Sequence, residues 1–373
     1  MPVLDQKNPF NRLVLVYALW VASSILSGGL FEIYLSGNGI PQKDIFFTNI
    51  LWYLPPLLLL PFIKGFKVRQ SVMIGVAFIL FATILLLFVP TTFSGYLYRF
   101  VLGFTIFFFW LPFNTLYYEF SKGNHAQLSA LYYAMSPALT LILPLLSGYV
   151  ASLFGFSALF ILAIIVILFT LLAAHRLLED KAYGFDLAAS LKSINGLKSI
   201  LFLEGFTASL IIGSTIPIIL LDFAASPFEF GLMTSLATVF SLIAMAVTAK
   251  MSDDCRQRRK FLLPVTAGFA IATIFASTVK DAVVFIFAMG MVRFFSSIFF
   301  PLPLALVMDN SKSTVDSMAG REFMLNIGRV CGVAAGIIAI FMIDMRAVLL
   351  IEGLALLLYI PVFENRKKKL SSC

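Results

Sequence analysis

Six ionisable side chains interrupt long apolar stretches of the sequence, and these side chains are the best placed to do chemistry. They are Glu32, Arg99, Glu204, Arg293, Arg329 and Glu352. A charge in bilayer hydrocarbon costs roughly 2.5–3.5 kcal/mol on insertion scales, so it faces protein or water and is a functional candidate. A carboxylate pairs with an arginine when ionised and releases it when protonated, so one proton can change the favoured arrangement. An arginine can instead bind the carboxylate or phosphate of a solute through two parallel hydrogen bonds.

The positions of these charges within their stretches indicate which of them can meet. Glu32 and Arg99 lie near the same membrane face, so we expect that they can pair. Glu204 lies near one end of its stretch and Arg293 near the middle of its own, so these two are within side-chain reach at best. The alternative is purely structural pairing, with end-placed carboxylates reaching water.

The composition indicates that the elements holding these charges lie in a membrane. Of the 373 residues, 60% are hydrophobic and 12% are charged. Soluble domains are about half apolar and a quarter charged. With so few charges the chain cannot cover a soluble exterior, which excludes soluble, disordered and coiled-coil classes.

Twelve stretches have the length of a membrane-spanning helix, which is about 20 apolar residues. They lie near 13–35, 45–63, 71–89, 95–118, 128–153, 156–175, 199–221, 228–249, 261–279, 282–307, 322–343 and 346–363. The sequence therefore predicts an all-α polytopic protein with two six-helix bundles, residues 1–175 and 199–373. Between them lies a polar linker, 176–198, in which Asp186 caps a short helix that we expect at the membrane interface.

Basic residues mark cytoplasmic loops and give the orientation. Most of them, Arg321 included, fall in loops on one side, whereas the other side holds Lys43, Lys280 and Arg346. This distribution predicts that both termini are cytoplasmic in the cell membrane, and it explains the +8 charge without nucleic acid as a partner. Four basic residues near the C-terminus are expected to contact anionic lipid; they are Arg366, Lys367, Lys368 and Lys369.

Other chemistries lack their residues. There is no phosphate-binding G-x-x-x-x-G-K-[ST] loop, and two histidines at span ends predict no metal site. We expect no cofactor and no catalytic residues. Two alternatives stay open: a membrane-embedded transferase of lipid-linked substrates, which would need Asp253 and Asp254 as metal ligands, and a non-transporting receptor.

The fourth span is rich in aromatic residues and contains a neutral hydrogen-bonding group. Trp110 and Asn114 are the candidates for contact with an amphipathic solute. The alternative is that its phenylalanines face lipid, because the 40 phenylalanines of the chain are spread over most spans.

Four sequence patterns resemble the major facilitator superfamily over essentially the whole chain. The loop 249–260 resembles its G-x-x-x-D-R-x-G-R-R signature, with Asp253 followed by Arg256, Arg258 and Arg259, but without either glycine. The matching loop of the first half, Lys64–Gln70, keeps the basic residues and lacks the aspartate. Arg99–Gly103 fits R-x-x-x-G, and Pro144–Gly148 partly fits G-P-x-x-G-G, which is associated with antiporters. Spans 4 and 10 also look like distant copies, as repeated halves of transporters do.

The resemblance implies how the candidate residues are used. In the family, spans 1, 4, 7 and 10 line the central cavity, and Glu32, Arg99, Glu204 and Arg293 fall one on each. The loop 249–260 would latch helix ends in one conformation, with Glu119 and Asp309 as partners; the alternative is a solvated anchor. The expected protein is a monomeric, proton-coupled secondary transporter of a small organic solute, working by alternating access with a preference for efflux.

Overall fold

The apolar stretches form helices, which satisfy their own backbone hydrogen bonds where no water is available. The computed structural model describes residues 9–88, 91–120, 125–210, 215–251 and 255–367. Within these residues, nine helices are long and apolar enough to cross a membrane. The chain is therefore a multi-pass membrane protein.

The described residues of the first half form eight helices and one π-helical turn. The helices are α1 Pro9–Gly28, α2 Phe31–Gly37, α3 Gln42–Phe47, α4 Asn49–Leu59, α5 Val68–Phe88, α6 Thr92–Thr105, α7 Leu111–Phe120 and α8 His125–Leu177. The π-helical turn, Ile106–Trp110, joins α6 to α7. Helix α8 breaks at Gly155, whose φ of 80° suits a residue without a Cβ. This break lies between the predicted spans 128–153 and 156–175.

The second half of the chain is built in the same way. Its helices are α10 Lys198–Leu210, α11 Ile216–Leu220, α12 Pro227–Met251, α13 Cys255–Thr278, α14 Ala282–Phe299, α15 Pro301–Asp309, α16 Thr314–Met342 and α17 Arg346–Lys367. Residues 178–197, which we call the linker, contain strand β2 (Ala182–Gly184) and helix α9 (Leu187–Ser193). Strand β2 pairs antiparallel with β1 (Gly65–Lys67) from the first half.

Two predicted boundaries are wrong. The stretch 45–63 is not one helix, because α3 and α4 divide it and α4 ends at Leu59. Helix α16 begins at Thr314, eight positions before the predicted 322. The count of twelve crossings remains a prediction, since broken segments such as 42–59 are not among the nine long helices.

The halves contact each other at both ends. We call the end that carries the linker the linker side and the opposite end the far side. On the far side, an apolar cluster joins first-half residues such as Phe31 and Ile45 to second-half residues such as Ile218 and Val348. There Gln42 also donates a hydrogen bond to Asp222 at 2.9 Å. The linker side is joined through the linker itself.

Helices α10 and α16 approach each other closely because glycines line their contact. A Cβ at Gly205 would overlap the backbone of Leu325, and one at Gly328 would overlap the carbonyl oxygen of Phe202. Small residues allow this approach where burial of apolar surface gives no driving force between helices. The contact fixes one helix against the other on both sides of the charged residues that they carry.

Candidate functional site

Glu32 and Arg99 form a buried ion pair in the first half. Glu32 lies in the first turn of α2, just after the turn that separates α2 from α1. Arg99 lies in α6. The Nη2 atom of Arg99 donates to Oε1 of Glu32 at 2.7 Å, and each residue is 4% exposed. The guanidinium also lies 4.4 Å from the ring centroid of Phe31 and 4.6 Å from that of Trp52. The predicted pair is confirmed, and aromatic rings cover its cation.

A larger buried network lies in the second half, where α10 meets α16. Arg321 donates to Glu204 at 2.7 Å and to Glu322 at 3.0 Å. Arg329 lies 3.8 Å from the other oxygen of Glu322 and donates to the amide oxygen of Asn326 at 3.1 Å. We call these five residues the α16 cluster. Two carboxylates and two guanidiniums make it electrically neutral when all four are charged.

The sequence prediction for Arg321 is wrong. Arg321 is not a loop residue, because it is buried in α16 at 9% exposure. Glu204 consequently pairs with Arg321 and not with Arg293. The predicted span starts at 322, so it excludes Arg321, and Glu322 at its first position was not recognised as a buried charge. The signal that finds them is the helix start: Ser313 accepts a hydrogen bond from the backbone N–H of Asp316, which suits an [ST]-x-x-[DE] pattern.

One carboxylate oxygen of the α16 cluster is left without a hydrogen bond. Oε2 of Glu204 is buried and has no hydrogen-bond partner among the described residues, and the same is true of the Tyr359 hydroxyl on α17. Glu204 is close enough to Tyr359 to act on it electrostatically. The site therefore contains an acceptor and a hydroxyl that are not yet satisfied.

Arg293 pairs with neither of these two sites. It lies at mid-length in the predicted span formed by α14 and α15 and is partly buried. Its guanidinium forms no ion pair with any described residue, and its Nε is buried without a hydrogen-bond partner there. Of the four charges expected to line one cavity, Glu32 and Arg99 meet directly and Glu204 pairs with Arg321. The shared cavity stays a prediction.

Two neighbouring aromatic residues of α4 connect the two charged sites. The rings of Trp52 and Tyr53 stack at 5.4 Å and 15°. Trp52 covers Arg99 of the first half, whereas Tyr53 lies 5.5 Å from the guanidinium of Arg329 in the second half. The contact of Tyr53 with Arg329 therefore crosses the boundary between the halves.

The aromatic residues of the fourth span are largely interior. Phe109 and Phe113 are fully buried, and Phe109 stacks on Trp20 of α1 at 3.4 Å. Lipid exposure is therefore the wrong explanation for these two. Trp110 lies edge-on to Trp20 at 6.3 Å, and Asn114 is 4% exposed. The π-helical turn that ends at Trp110 is a backbone feature often found at functional sites.

Only some of the predicted gate and lipid-binding residues are among those that the structure describes. Asp253, Lys368 and Lys369 lie outside the described residues. The backbones of Arg256, Arg258 and Arg259 are in the first turns of α13, and those of Arg366 and Lys367 end α17. Glu119, expected as a partner of the gate, accepts hydrogen bonds from Lys181 and Tyr183 of the linker, both at 2.5 Å. Its pairing with the gate stays a prediction.

This contact changes the acidity of the linker residues. The hydrogen bond to Glu119 raises the pKa of Lys181. Burial, followed by the hydrogen bond to Glu119, raises the pKa of Tyr183 to about 12. Both residues therefore keep their protons, and their bonds to Glu119, at neutral pH.

Comparisons with known proteins agree with this architecture. Residues 199–371 match the family model of the Major Facilitator Superfamily. No curated protein sequence matches the chain.

Solved transporter structures share the fold along the whole chain. The human organic anion transporter MFSD10 (TETRAN) has a TM-score of 0.70 at 14% identity, with 95% of this chain and 99% of that chain covered. The E. coli fucose:proton symporter FucP has a TM-score of 0.66 at 11% identity, over 96% and 98%. A bacterial homologue of the iron transporter ferroportin in its outward-facing state has a TM-score of 0.70 at 15% identity, over 97% and 100%. At these identities the likeness shows the fold alone.

Proposed function

Because the chain belongs to the major facilitator superfamily, we propose that it moves a small organic solute across a membrane by proton-coupled alternating access. In this scheme the two halves tilt about a site between them, so that each side of the membrane is reached in turn. The observation that carries the proposal is the α16 cluster. Burying two carboxylates and two arginines inside a membrane protein is expensive, so such a cluster is a functional candidate by default.

The α16 cluster is suited to coupling because Arg321 serves two carboxylates. When both are ionised, Arg321 is held between Glu204 and Glu322, at 2.7 and 3.0 Å. A proton on Glu204 would remove one of these attractions, whereas the bond from Arg321 to Glu322 would remain. The freed carboxyl could then donate a hydrogen bond, a capacity that its unbonded oxygen and the nearby Tyr359 hydroxyl can use. One proton would thus change which packing of α10 against α16 is favoured.

Glu32 is the other coupling candidate, but its surroundings favour a structural role. Its partner Arg99 is already held between two aromatic rings, so release by a proton would leave a cation buried among apolar groups. Leaving one member of a buried pair without its partner is strongly unfavourable. We therefore assign coupling to Glu204 and stabilisation to Glu32.

Arg293 is proposed as the contact for an anionic group of the solute. It lacks a carboxylate partner among the described residues, and a guanidinium binds carboxylate or phosphate through a planar fork. Trp110 and Asn114 would supply apolar and hydrogen-bonding contacts to the rest of a small organic molecule. Efflux by antiport is the preferred direction, on the partial pattern at Pro144–Gly148.

Several further assignments complete the proposal. The protein would act as a monomer in the cell membrane with both termini cytoplasmic, so that the linker side is the cytoplasmic side. The basic tail, 366–369, would lie against anionic lipid. Asp253 and the arginines 256, 258 and 259 would latch helix ends on that side.

The test is transport in proteoliposomes with and without an imposed pH gradient, first as a screen of small organic acids and neutral analogues. For a transported compound, Glu204→Gln should abolish uphill, gradient-driven movement while leaving exchange down a solute gradient. Glu364→Gln, a change at an exposed residue of the last helix, is the matched control. Uphill transport by the Glu204→Gln protein would remove Glu204 from the mechanism.

A further inference from the structure

The linker is bound firmly to the first half of the chain. Strand β2 pairs with β1, and the two-stranded contact is extended by backbone hydrogen bonds from Val68 to Lys181 at 2.9 Å and from Phe185 to Lys64 at 2.8 Å. Two ion pairs flank it: Lys181 with Glu119, and Arg69 with Asp180 at 3.7 Å. The first-half loop that lacks the family aspartate thus receives its carboxylate from the linker.

The same linker is also bound to the second half, through α9. Asp186 caps this helix by accepting from the N–H of Ala189 at 3.0 Å. Ser190 then donates to Asp316 of α16 at 3.2 Å, and Ser317 donates to Ser193 at 3.3 Å. Ile194, which directly follows α9, is 1% exposed. The helix thus packs against α16, where the sequence had placed it on the membrane interface.

The contact between α9 and α16 depends on a glycine next to the charged network. A Cβ at Gly320 would overlap the carbonyl oxygen of Ser190. Gly320 directly precedes Arg321, the arginine shared by Glu204 and Glu322. Helix α9 therefore covers α16 at the point where the α16 cluster approaches the linker side.

The two attachments lie so close together along the chain that the halves cannot separate on this side while both attachments hold. Strand β2 ends at Gly184 and the cap of α9 is Asp186, so Phe185 alone separates them. One extended residue spans roughly 3.3–3.6 Å. If the linker-side ends of the two halves move apart by more than this, one attachment must break.

We propose that the linker is a clamp that holds the linker-side ends of the halves together, and that the α9–α16 contact is the one that opens. This inference uses alternating access from the proposed function and adds the element that must yield. The β1–β2 attachment has backbone hydrogen bonds and two ion pairs. The α9–α16 attachment has two hydroxyl hydrogen bonds, a glycine contact and the buried side chain of Ile194. In the proposal, the attachment held by side chains opens while the paired strands stay together, and this opening uncovers the cluster beside Arg321.

Two disulfide variants compare the attachments in a protein whose Cys255, Cys331 and Cys373 are replaced by serine. The first, Ser193→Cys with Ser317→Cys, closes the α9–α16 contact, since its hydroxyl oxygens are 3.3 Å apart. The second, Lys67→Cys with Ala182→Cys, closes β1–β2 at directly paired positions. Oxidation should abolish transport in the first variant, with recovery on reduction, and should leave it unchanged in the second. Transport that survives the first disulfide, or is lost with both, would overturn the proposal.

A labelling experiment separates the clamp from transport itself. Ser317→Cys in detergent places a thiol at a site that is 1% exposed while α9 is docked, so a maleimide reports undocking without any substrate. Adding Gly320→Val should raise the labelling rate about tenfold or more, because the overpacked contact cannot close. Oxidised Lys67→Cys/Ala182→Cys should not change that rate. A rate unaffected by Gly320→Val would refute the clamp even if the protein transports, whereas faster labelling without transport would refute only the transport proposal.

Discussion

The two buried charged sites have the same arginine-to-glutamate hydrogen-bond distance, but the residues around the two arginines differ. In each, an arginine donates to a glutamate at 2.7 Å. In the first half, Arg99 has one carboxylate and two aromatic faces. In the second half, Arg321 has two carboxylates, and one oxygen of Glu204 has no hydrogen bond among the described residues. This difference is the basis of the proposal that Glu204 couples and Glu32 stabilises: a second carboxylate is in place to hold Arg321, whereas Arg99 has none among the described residues.

Among the variants that test this contrast, the removal of Arg321 should have the largest effect on stability and transport. Arg321→Met leaves Glu204 and Glu322 facing each other in a buried site, so we expect a loss of about 3–5 kcal/mol in stability and no transport. Thermal unfolding in detergent measures the first and proteoliposome flux the second. Arg321→Lys, which keeps the charge but loses the fork, should recover part of the stability. A fully stable Arg321→Met protein would show that the cluster does not hold α10 to α16.

The two glutamates should separate stability from coupling. Glu32→Gln should lower the unfolding temperature, because Arg99 loses its carboxylate, but should keep the pH dependence of transport. Glu204→Gln should keep the fold better, since Glu322 still holds Arg321, but should lose that pH dependence. The measurement is the pH profile of transport beside the thermal unfolding curve. If the two variants behave the other way round, Glu32 is the coupling residue and Glu204 the stabilising one.

The aromatic residues of α4 should show a smaller difference. Trp52→Leu removes the cover of Arg99, and we expect a loss of about 1 kcal/mol, the scale of a partly exposed cation–π contact with its packing. Tyr53→Phe keeps the ring over Arg329 and should behave like the wild type. Tyr53→Leu should change the rate of transport more than the stability, because its contact crosses between the halves. Equal effects of the Phe and Leu changes would show that the hydroxyl, and not the ring, matters.

The smallest effect is expected from the linker at alkaline pH. The pKa of Lys181 is raised by Glu119 and that of Tyr183 to about 12, so each has a higher pKa in the folded linker than in the unfolded chain. Their stabilising bonds are complete below the unfolded values, near 10 for both. They are lost as pH rises through the folded values, so the linker should loosen above about pH 10. Hydrogen exchange of residues 181–185 measures this, and Lys181→Met should flatten the response.

Much of the fold was predictable because hydropathy records the cost of each residue in hydrocarbon. The pair of Glu32 and Arg99 was predictable too, since both interrupt apolar stretches near the same membrane face. The short helix α9 was found from its cap, Asp186. Arg321 and Glu322 were missed because they lie in the first turns of α16, where charges look like the end of a loop.

The contacts of the linker with the two halves could not have been predicted from local sequence patterns. Strand β1 has only three residues, and its partner β2 lies more than a hundred positions later. A strand this short forms because a partner is presented to it, not because of its own propensity. The same holds for Gly320, whose role depends on a carbonyl oxygen from a distant helix.

The sequence by itself determined that this chain lies in a membrane, where its helices run, and which few charges must be accommodated there. These features follow from the sequence because two free-energy costs arise within each segment, whatever its neighbours. One is the cost of placing a charge in hydrocarbon, and the other is the cost of leaving backbone groups there without hydrogen bonds. Only the tertiary structure decided that Glu204 meets Arg321, 117 positions away, that Arg293 has no ion pair among the described residues, and that the linker joins both halves. Those outcomes depend on which helices become neighbours, and a pairing energy acts only between groups that packing has already brought together.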